Sequence, residues 1–277
     1  MKILVTLTAF VLTFTLNAQS FSGKATYKTH RKSNIKFGGE KSTVTPEMQK
    51  QLEEKMKKMN QKTYILDFNR QESIYKQDVS LSSPTPQVGN GGVMVMSIGG
   101  RGGASDILYK NIKEARFANK TELMGKIFLV KDSLNKYDWE MTGETKNIGK
   151  YTCYKATFSR EVENMTMSML NGEMKETKKK ETIITTAWYT PDIPVSNGPD
   201  DFGGLPGLIL EINDGKLTIV CTEIVLNPTN KVEIKEPTKG KEVSREKFEA
   251  ISRKKSKEMM ERFKSNRGGT RHIRIGG

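Results

Sequence analysis

Among the side chains that could do chemistry, methionine stands out by spacing. Met165, Met167 and Met169 alternate, with Met174 close behind, and Met94 and Met96 form a second, shorter pair. Alternate residues of a strand share a face, so such thioethers would converge, and a soft Cu(I) ion is what they would hold. The competing reading, which the sequence favours, is Met as adaptable apolar filler. Other signatures are thin. The chain has two His, His30 and His272, near opposite ends. It contains no HExxH, no CxxC and no GxSxG. Gly143, Gly149 and Lys150 approach a phosphate-binding loop, but five residues separate the glycines and Tyr151 stands where a Ser or Thr must hold magnesium. Asp132, Asp200 and Asp201 offer carboxylates that nothing ties into an acid–base pair. The expectation is a non-enzymatic protein without a cofactor.

Cys153 and Cys221 are the only cysteines. In an oxidising compartment an even pair invites a disulfide. The alternation disagrees. Cys221 shares its face with Leu217 and Ile219, whereas Cys153 shares its face with Tyr151 and Lys155, opposite Tyr154, Ala156 and Phe158. Two buried or half-buried thiols are expected.

The compartment is read from the N-terminus. Met1 and Lys2 precede an apolar run from Ile3 to Leu16, and the chain turns polar after Ala18. This is the pattern of a secretory signal peptide over residues 1–18, too short to span a bilayer. The mature chain is expected to be soluble or peripheral, in the periplasm, at the outer membrane or secreted. The formal charge of +14 for the whole chain, in 277 residues of which 35% are hydrophobic, suits solvated lysines or an anionic headgroup. Export and the lack of interleaved aromatics argue against nucleic acid, despite Arg267, Arg271 and Arg274 in the tail.

The elements that must position any site are mostly strands. Short runs read as strands from Ser22 to Lys28, Thr63 to Phe68, Glu72 to Gln77, Ile107 to Asn111, Arg116 to Phe117, Lys126 to Lys131, Tyr137 to Thr142, Tyr151 to Arg160 and Thr182 to Tyr189. Residues 82–105 are a Gly-rich insert, and residues 161–181 read as a long hairpin loop or strand extension. Asp214-Gly215 between apolar runs predicts a two-residue hairpin turn that pairs Ile212 with Leu217, Leu210 with Ile219 and Leu208 with Cys221. Two helices are expected. Thr45-Pro46 starts one, with Met48, Leu52, Met56 and Met59 at helical spacing. Ser244 caps the other, with Val243 and Phe248 as a staple and Gly268-Gly269 as its stop. The predicted architecture is mainly β: a curved antiparallel sheet or half-barrel over residues 19–264, with one or two amphipathic helices against it and a basic tail over 265–277.

Between Pro191 and Gly207, eight of seventeen residues are Pro or Gly. Leu205-Pro206-Gly207-Leu208 predicts a type II turn with positive φ at Gly207. The hexapeptide Gly204-Leu205-Pro206-Gly207-Leu208-Ile209, with Ala187-Trp188-Tyr189-Thr190-Pro191-Asp192-Ile193-Pro194, Gly198-Pro199 and the strand from Tyr151 to Thr157, resembles the GLPGLI family. The resemblance runs from about Phe21 to Phe263. It implies an exported protein of Bacteroidetes-group bacteria, often encoded beside outer-membrane receptors, and it carries no catalytic residues. The functional expectation is an envelope protein binding an apolar or lipid-like anionic ligand, or an outer-membrane partner. The alternative is a Met-rich copper-handling protein. A carrier would use the concave face of the sheet, covered by the two helices.

Overall fold

The computed structural model describes residues 21–32, 47, 50–51, 54, 61–79, 105–170, 173–230 and 232–267. The expected signal peptide over residues 1–18, most of the Gly-rich insert, His272 and the apolar positions Met48, Leu52, Met56 and Met59 lie outside them. The four described residues of that first expected helix, at 47, 50, 51 and 54, are helical and exposed.

Twelve strands form one open sheet: β1 (Ser22–Arg31), β2 (Gln61–Asn69), β3 (Glu72–Gln77), β4 (Ile107–Asn111), β5 (Arg116–Leu123), β6 (Lys126–Ser133), β7 (Glu140–Ile148), β8 (Tyr151–Leu170), β9 (Glu173–Thr190), β10 (Leu208–Asn213), β11 (Leu217–Leu226) and β12 (Lys241–Val243). Their order across the sheet is β12-β6-β5-β4-β3-β2-β1-β11-β10-β9-β8-β7. All pairings are antiparallel except β12 on β6. The mainly β, curved-sheet expectation holds, and the sheet does not close into a barrel.

Cross-strand register turns one row of side chains inward: Ala25, Leu66, Tyr75, Leu108, Asn119 and Val130 stand opposite one another across six strands. The next row brings Phe68, Ser73, Lys110 and Phe117 together on the same face. Irregularities at Thr26/Tyr27, Ile209/Glu211 and Met141/Thr145 interrupt the ladders. Bulges of this kind bend a strand and sharpen its twist.

Two strand expectations are corrected and a third, left open between two forms, is decided. Arg116–Phe117 is the start of an eight-residue strand, continued by a two-residue turn in which Met124 and Gly125 both have positive φ. Tyr137 and Trp139 lie outside β7, because the chain tightens there (Trp139 N donates to Tyr137 O, 3.0 Å). Residues 161–181 are a strand extension: β8 and β9 stay paired from Tyr154 with Tyr189 to Leu170 with Glu173. Beyond Thr157 neither flanking strand accompanies them, so the last thirteen residues of β8 (158–170) belong to a two-stranded ribbon about 40 Å long at ~3.3 Å per residue.

The Asp214-Gly215 hairpin forms with a longer loop than predicted. Ile212 faces Ile219 and Asn213 faces Thr218. The cause is side-chain capping. Asp214 Oδ1 accepts from the amides of Lys216 (3.0 Å) and Leu217 (2.6 Å), and Asn213 Oδ1 accepts from Gly215 N (2.8 Å). These bonds hold four residues in the turn. The register moves by two, so Ile212 and Ile219 still share a face, as the alternation required.

One helix is fully described, α1 (Arg245–Arg267). It begins as predicted: Ser244 Oγ accepts from Lys247 N (3.3 Å), Val243 is buried, and Phe248 packs edge-on against Phe128 at 5.4 Å. It ends at the residue before Gly268. Among the described residues no helix is long and apolar enough to cross a membrane.

Candidate functional site

Long-range hydrogen bonds and buried side chains surround the connection from β9 to β10, residues 191–207. It has no regular secondary structure apart from one bridge between Asn197 and Gly203, yet Ile193, Val195 and Leu205 are at most 2% exposed. Three-residue turns bend it (Val195 N to Ile193 O, Asn197 N to Val195 O and Gly207 N to Leu205 O, each 2.8 Å), and two further bonds fold it back onto β10 (Leu208 N to Ile193 O, 3.0 Å; Ile209 N to Asn197 O, 2.9 Å). Backbone polar groups that would be unsatisfied in a buried loop are thus paired.

The hexapeptide is part of this fold-back, with the geometry of its turn corrected. Positive φ falls on Gly204 (+87°), and Gly207 lies outside the left-handed region. The turn is the tighter one around Pro206, whose ring supplies the required negative φ. Gly207 is needed for space: a Cβ there would sit 2.2 Å from Thr190 O, a backbone atom. Leu205, Leu208 and Ile209 are buried, and Pro206 is exposed.

Lys110 ties this segment to the far half of the sheet. Its strand is five places from β10, about 24 Å in a flat sheet at ~4.8 Å per strand. Its ammonium nevertheless donates to the carbonyls of Gly198 (2.8 Å), Asp200 (2.7 Å) and Phe202 (3.1 Å). The sheet must curl for that contact to exist, and the 191–207 segment fills the curl. Burial pushes the ammonium down from 10.5 to about 8, with Asp201 and Asp200 pulling the other way. It is therefore charged at neutral pH. Its three N–H groups are all committed to backbone oxygens, so the arrangement serves as a tie and not as a nucleophile or base.

Aromatic rings and a short polar chain complete the site. Tyr137 lies 5.5 Å from Phe202 and 4.9 Å from Phe158, and Trp139 packs edge-on against Phe158 at 4.8 Å. Trp139 Nε1 donates to Gly203 O (2.9 Å). Asn135 Nδ2 donates to Asp201 Oδ2 (2.6 Å), and the Arg245 guanidinium donates to Asn135 Oδ1 while stacking 4.8 Å over Phe117. A cleft of about 10 Å³ remains between Lys110, Phe117, Asn135, Asp201 and Arg245. That is about the space of one water and far below the ~300–1,000 Å³ of small-molecule sites. The first of the two helices expected to cover the inward face lies outside the described residues at its apolar positions. The 191–207 segment covers that face, because its own apolar side chains reach the core, and α1 packs at the β6 end.

The remaining sequence candidates are scattered. Met165, Met167 and Met169 occupy alternate positions on β8, and Met169 stands opposite Met174 on β9; their side chains lie outside the described residues. Gly143 sits at the irregularity in β7 and Gly149 at the β7–β8 turn, both with positive φ; they shape strands and form no phosphate cradle. Asp132 holds the start of α1: its carboxylate accepts from Ser133 N (2.8 Å) and Arg245 N (3.1 Å), which keep it below the usual carboxylate range. His30 is on β1, away from this cluster. Cys153 and Cys221 are free thiols and buried. Burial pushes Cys153 up to about 11 and Cys221 up to about 12. Tyr154, Ala156 and Phe158 do share a face, but Cys153 on the other face is fully buried while Tyr154 is 40% exposed.

Lys110 is the residue sequence reasoning missed. The available signal was parity: two places from Leu108 in a short strand, it must turn to the same side.

No curated protein matches the chain. Two solved structures of PNGF-II, in the C2 and P21 space groups, are similar at TM-scores of 0.47 and 0.46 with 14% identity, over 84% and 83% of this chain and 33% of theirs. The chain therefore spans about a third of the length of those structures. A family model described as a protein of unknown function (Porph_ging) matches residues 139–211, from Trp139 through the ribbon and the fold-back to β10.

Proposed function

We propose that this chain is exported and works in the cell envelope as a non-enzymatic binding protein whose partner is another protein, docking on the outer surface of the 191–207 segment. The observation that carries this reading is the filled inward face. A lipid-sized guest needs a cavity, and the space a carrier would use is taken by Ile193, Val195 and Leu205 and by the Phe202–Tyr137–Trp139 cluster. The same segment presents Pro191, Asp192, Pro194 and Pro206 to solvent. Prolines held rigid by buried neighbours form a surface that loses little conformational entropy on binding.

In-cell crosslinking followed by native mass spectrometry of the gently purified protein tests the reading. The expected result is a crosslinked envelope protein, lost when Pro191, Asp192 and Pro194 are replaced by Ser, Lys and Ser. A co-purifying lipid-sized mass with no protein partner would return the function to a carrier.

A further inference from the structure

We propose that the turn from Gly198 to Phe202 is a cation-organised loop whose cation the chain supplies itself: the Lys110 ammonium stands where a bound monovalent cation would stand, and the 191–207 surface keeps its shape only while that place is filled. The cage belongs to the fold. Only its consequence for docking rests on the partner reading above.

The geometry is that of a carbonyl cage. Three backbone oxygens, spaced two residues apart along the chain, converge on one point at 2.7–3.1 Å. These distances are longer than the ~2.3–2.6 Å of calcium or the ~2.0–2.1 Å of magnesium. They suit an ammonium or a larger monovalent ion that exchanges its water shell for carbonyl dipoles. Bringing the oxygens together is unfavourable unless N–H donors or a cation sit between them, since each points its negative end at the others. The backbone is bent for the purpose: Asp200 adopts φ +50°, a conformation that Asp tolerates better than most residues. The carboxylates of Asp200 and Asp201 add negative potential at the same place, which favours the charged form of Lys110. Lys110 itself is 2% exposed, so its ammonium meets these carbonyls away from bulk water.

The test uses the full chain with Lys110→Ala, which empties the cage, and Lys110→Met, which fills it with an apolar side chain. Both are held at equal ionic strength in tetramethylammonium chloride, potassium chloride or ethylammonium chloride. Cleavage within 191–207 by a trace of protease reads loop opening, and near-ultraviolet circular dichroism reads the packing of Trp139. In tetramethylammonium, Lys110→Ala is expected to be cleaved at least about tenfold faster than the parent, the factor that corresponds to a small free-energy change in opening. Potassium or ethylammonium should bring it back toward the parent rate and leave Lys110→Met unchanged. Parent-like resistance of Lys110→Ala without a small cation overturns the proposal. So does failure of both small cations to restore it, including a variant that stays unfolded throughout. Partner capture measured on the restored protein separates the two claims: a re-formed loop that no longer captures a partner counts against the docking surface and leaves the cage standing.

Discussion

The 191–207 segment and helix α1 invert the usual association of regularity with burial. The segment has no helix and a single bridge, yet it supplies three of the molecule's fully buried apolar side chains. The helix is twenty-three residues long, roughly 35 Å at ~1.5 Å per residue, yet among its described side chains only Phe248 and Ile251 reach the edge of the core. Its first turn is fixed by Ser244, Asp132 and Phe128, and the turns beyond carry mostly charged residues at exposed or half-buried positions. The irregular segment is held by contacts from distant strands, whereas the helix is held by bonds within itself and a cap. Stability in this fold follows long-range contact, not secondary structure.

Substitutions can break that comparison, and Gly207→Ala should have the largest effect. Its new Cβ would meet the Thr190 carbonyl, and only backbone movement relieves the clash. A loss of at least about 3 kcal/mol is expected, as for severe overpacking, read as a fall in the denaturation midpoint.

Lys110→Met comes next. It leaves three buried carbonyls without a donor, at about 1–3 kcal/mol for the group even if they relax together. It also removes a pH dependence. The native lysine releases its proton near 8 and the unfolded one near 10.5. Between these values the unfolded chain binds more protons, so the contribution of Lys110 to stability rises with pH across that window. Below pH 8 its burial penalty is fully present. The stability difference between parent and Lys110→Met should therefore shift in favour of the parent from pH 8 to pH 10. A difference that stays flat would show that the ammonium is not buried.

The two thiols sharpen the picture of the surrounding core. Their native values lie above the ordinary 9.0, so the native state holds these protons longer than the unfolded chain, and their stabilising contribution fades as pH rises above 9. At pH 8 neither thiol should react with a disulfide reagent until the protein is denatured, when both should react. Prompt reaction of either in the native protein would mean that its strand opens locally.

The smallest effects belong to the helix. Ser244→Ala should cost about 1 kcal/mol, the ordinary value of a cap, by thermal denaturation. Ending the chain after Ser256 should change stability by no more than about 0.5 kcal/mol, because none of the described side chains removed packs against the core. A large loss from that truncation would mean that the helix is not peripheral.

Much of the sheet was legible. β3 and β4 match their predicted limits, and the apolar alternation of β10 and β11 survives a two-residue change of register because strand faces repeat every two residues. The start and end of α1 were readable because caps are local. The turn at Leu205–Leu208 was located correctly and typed wrongly: Pro-Gly chemistry permits several turns, and the Thr190 carbonyl decides among them. Cys153 is buried, as expected, but what buries it was not legible, because alternation says which side a residue is on and not what covers that side.

By itself the sequence determined the strands, the hairpin, the helix cap and the place of the Pro/Gly-rich fold-back. These depend on neighbours within a few residues, through torsional limits, capping bonds and the two-residue repeat of a strand. Only the tertiary structure decided that the fold-back fills the inward face, that Gly207 is required for room and not for rotation, and that Lys110 is the tie. Gly207 depends on the Thr190 carbonyl, seventeen residues away, and the tie depends on atoms brought together from β4 and from the β9–β10 connection, some ninety residues apart in the chain. No local pattern records that meeting, because it exists only once the sheet has curled.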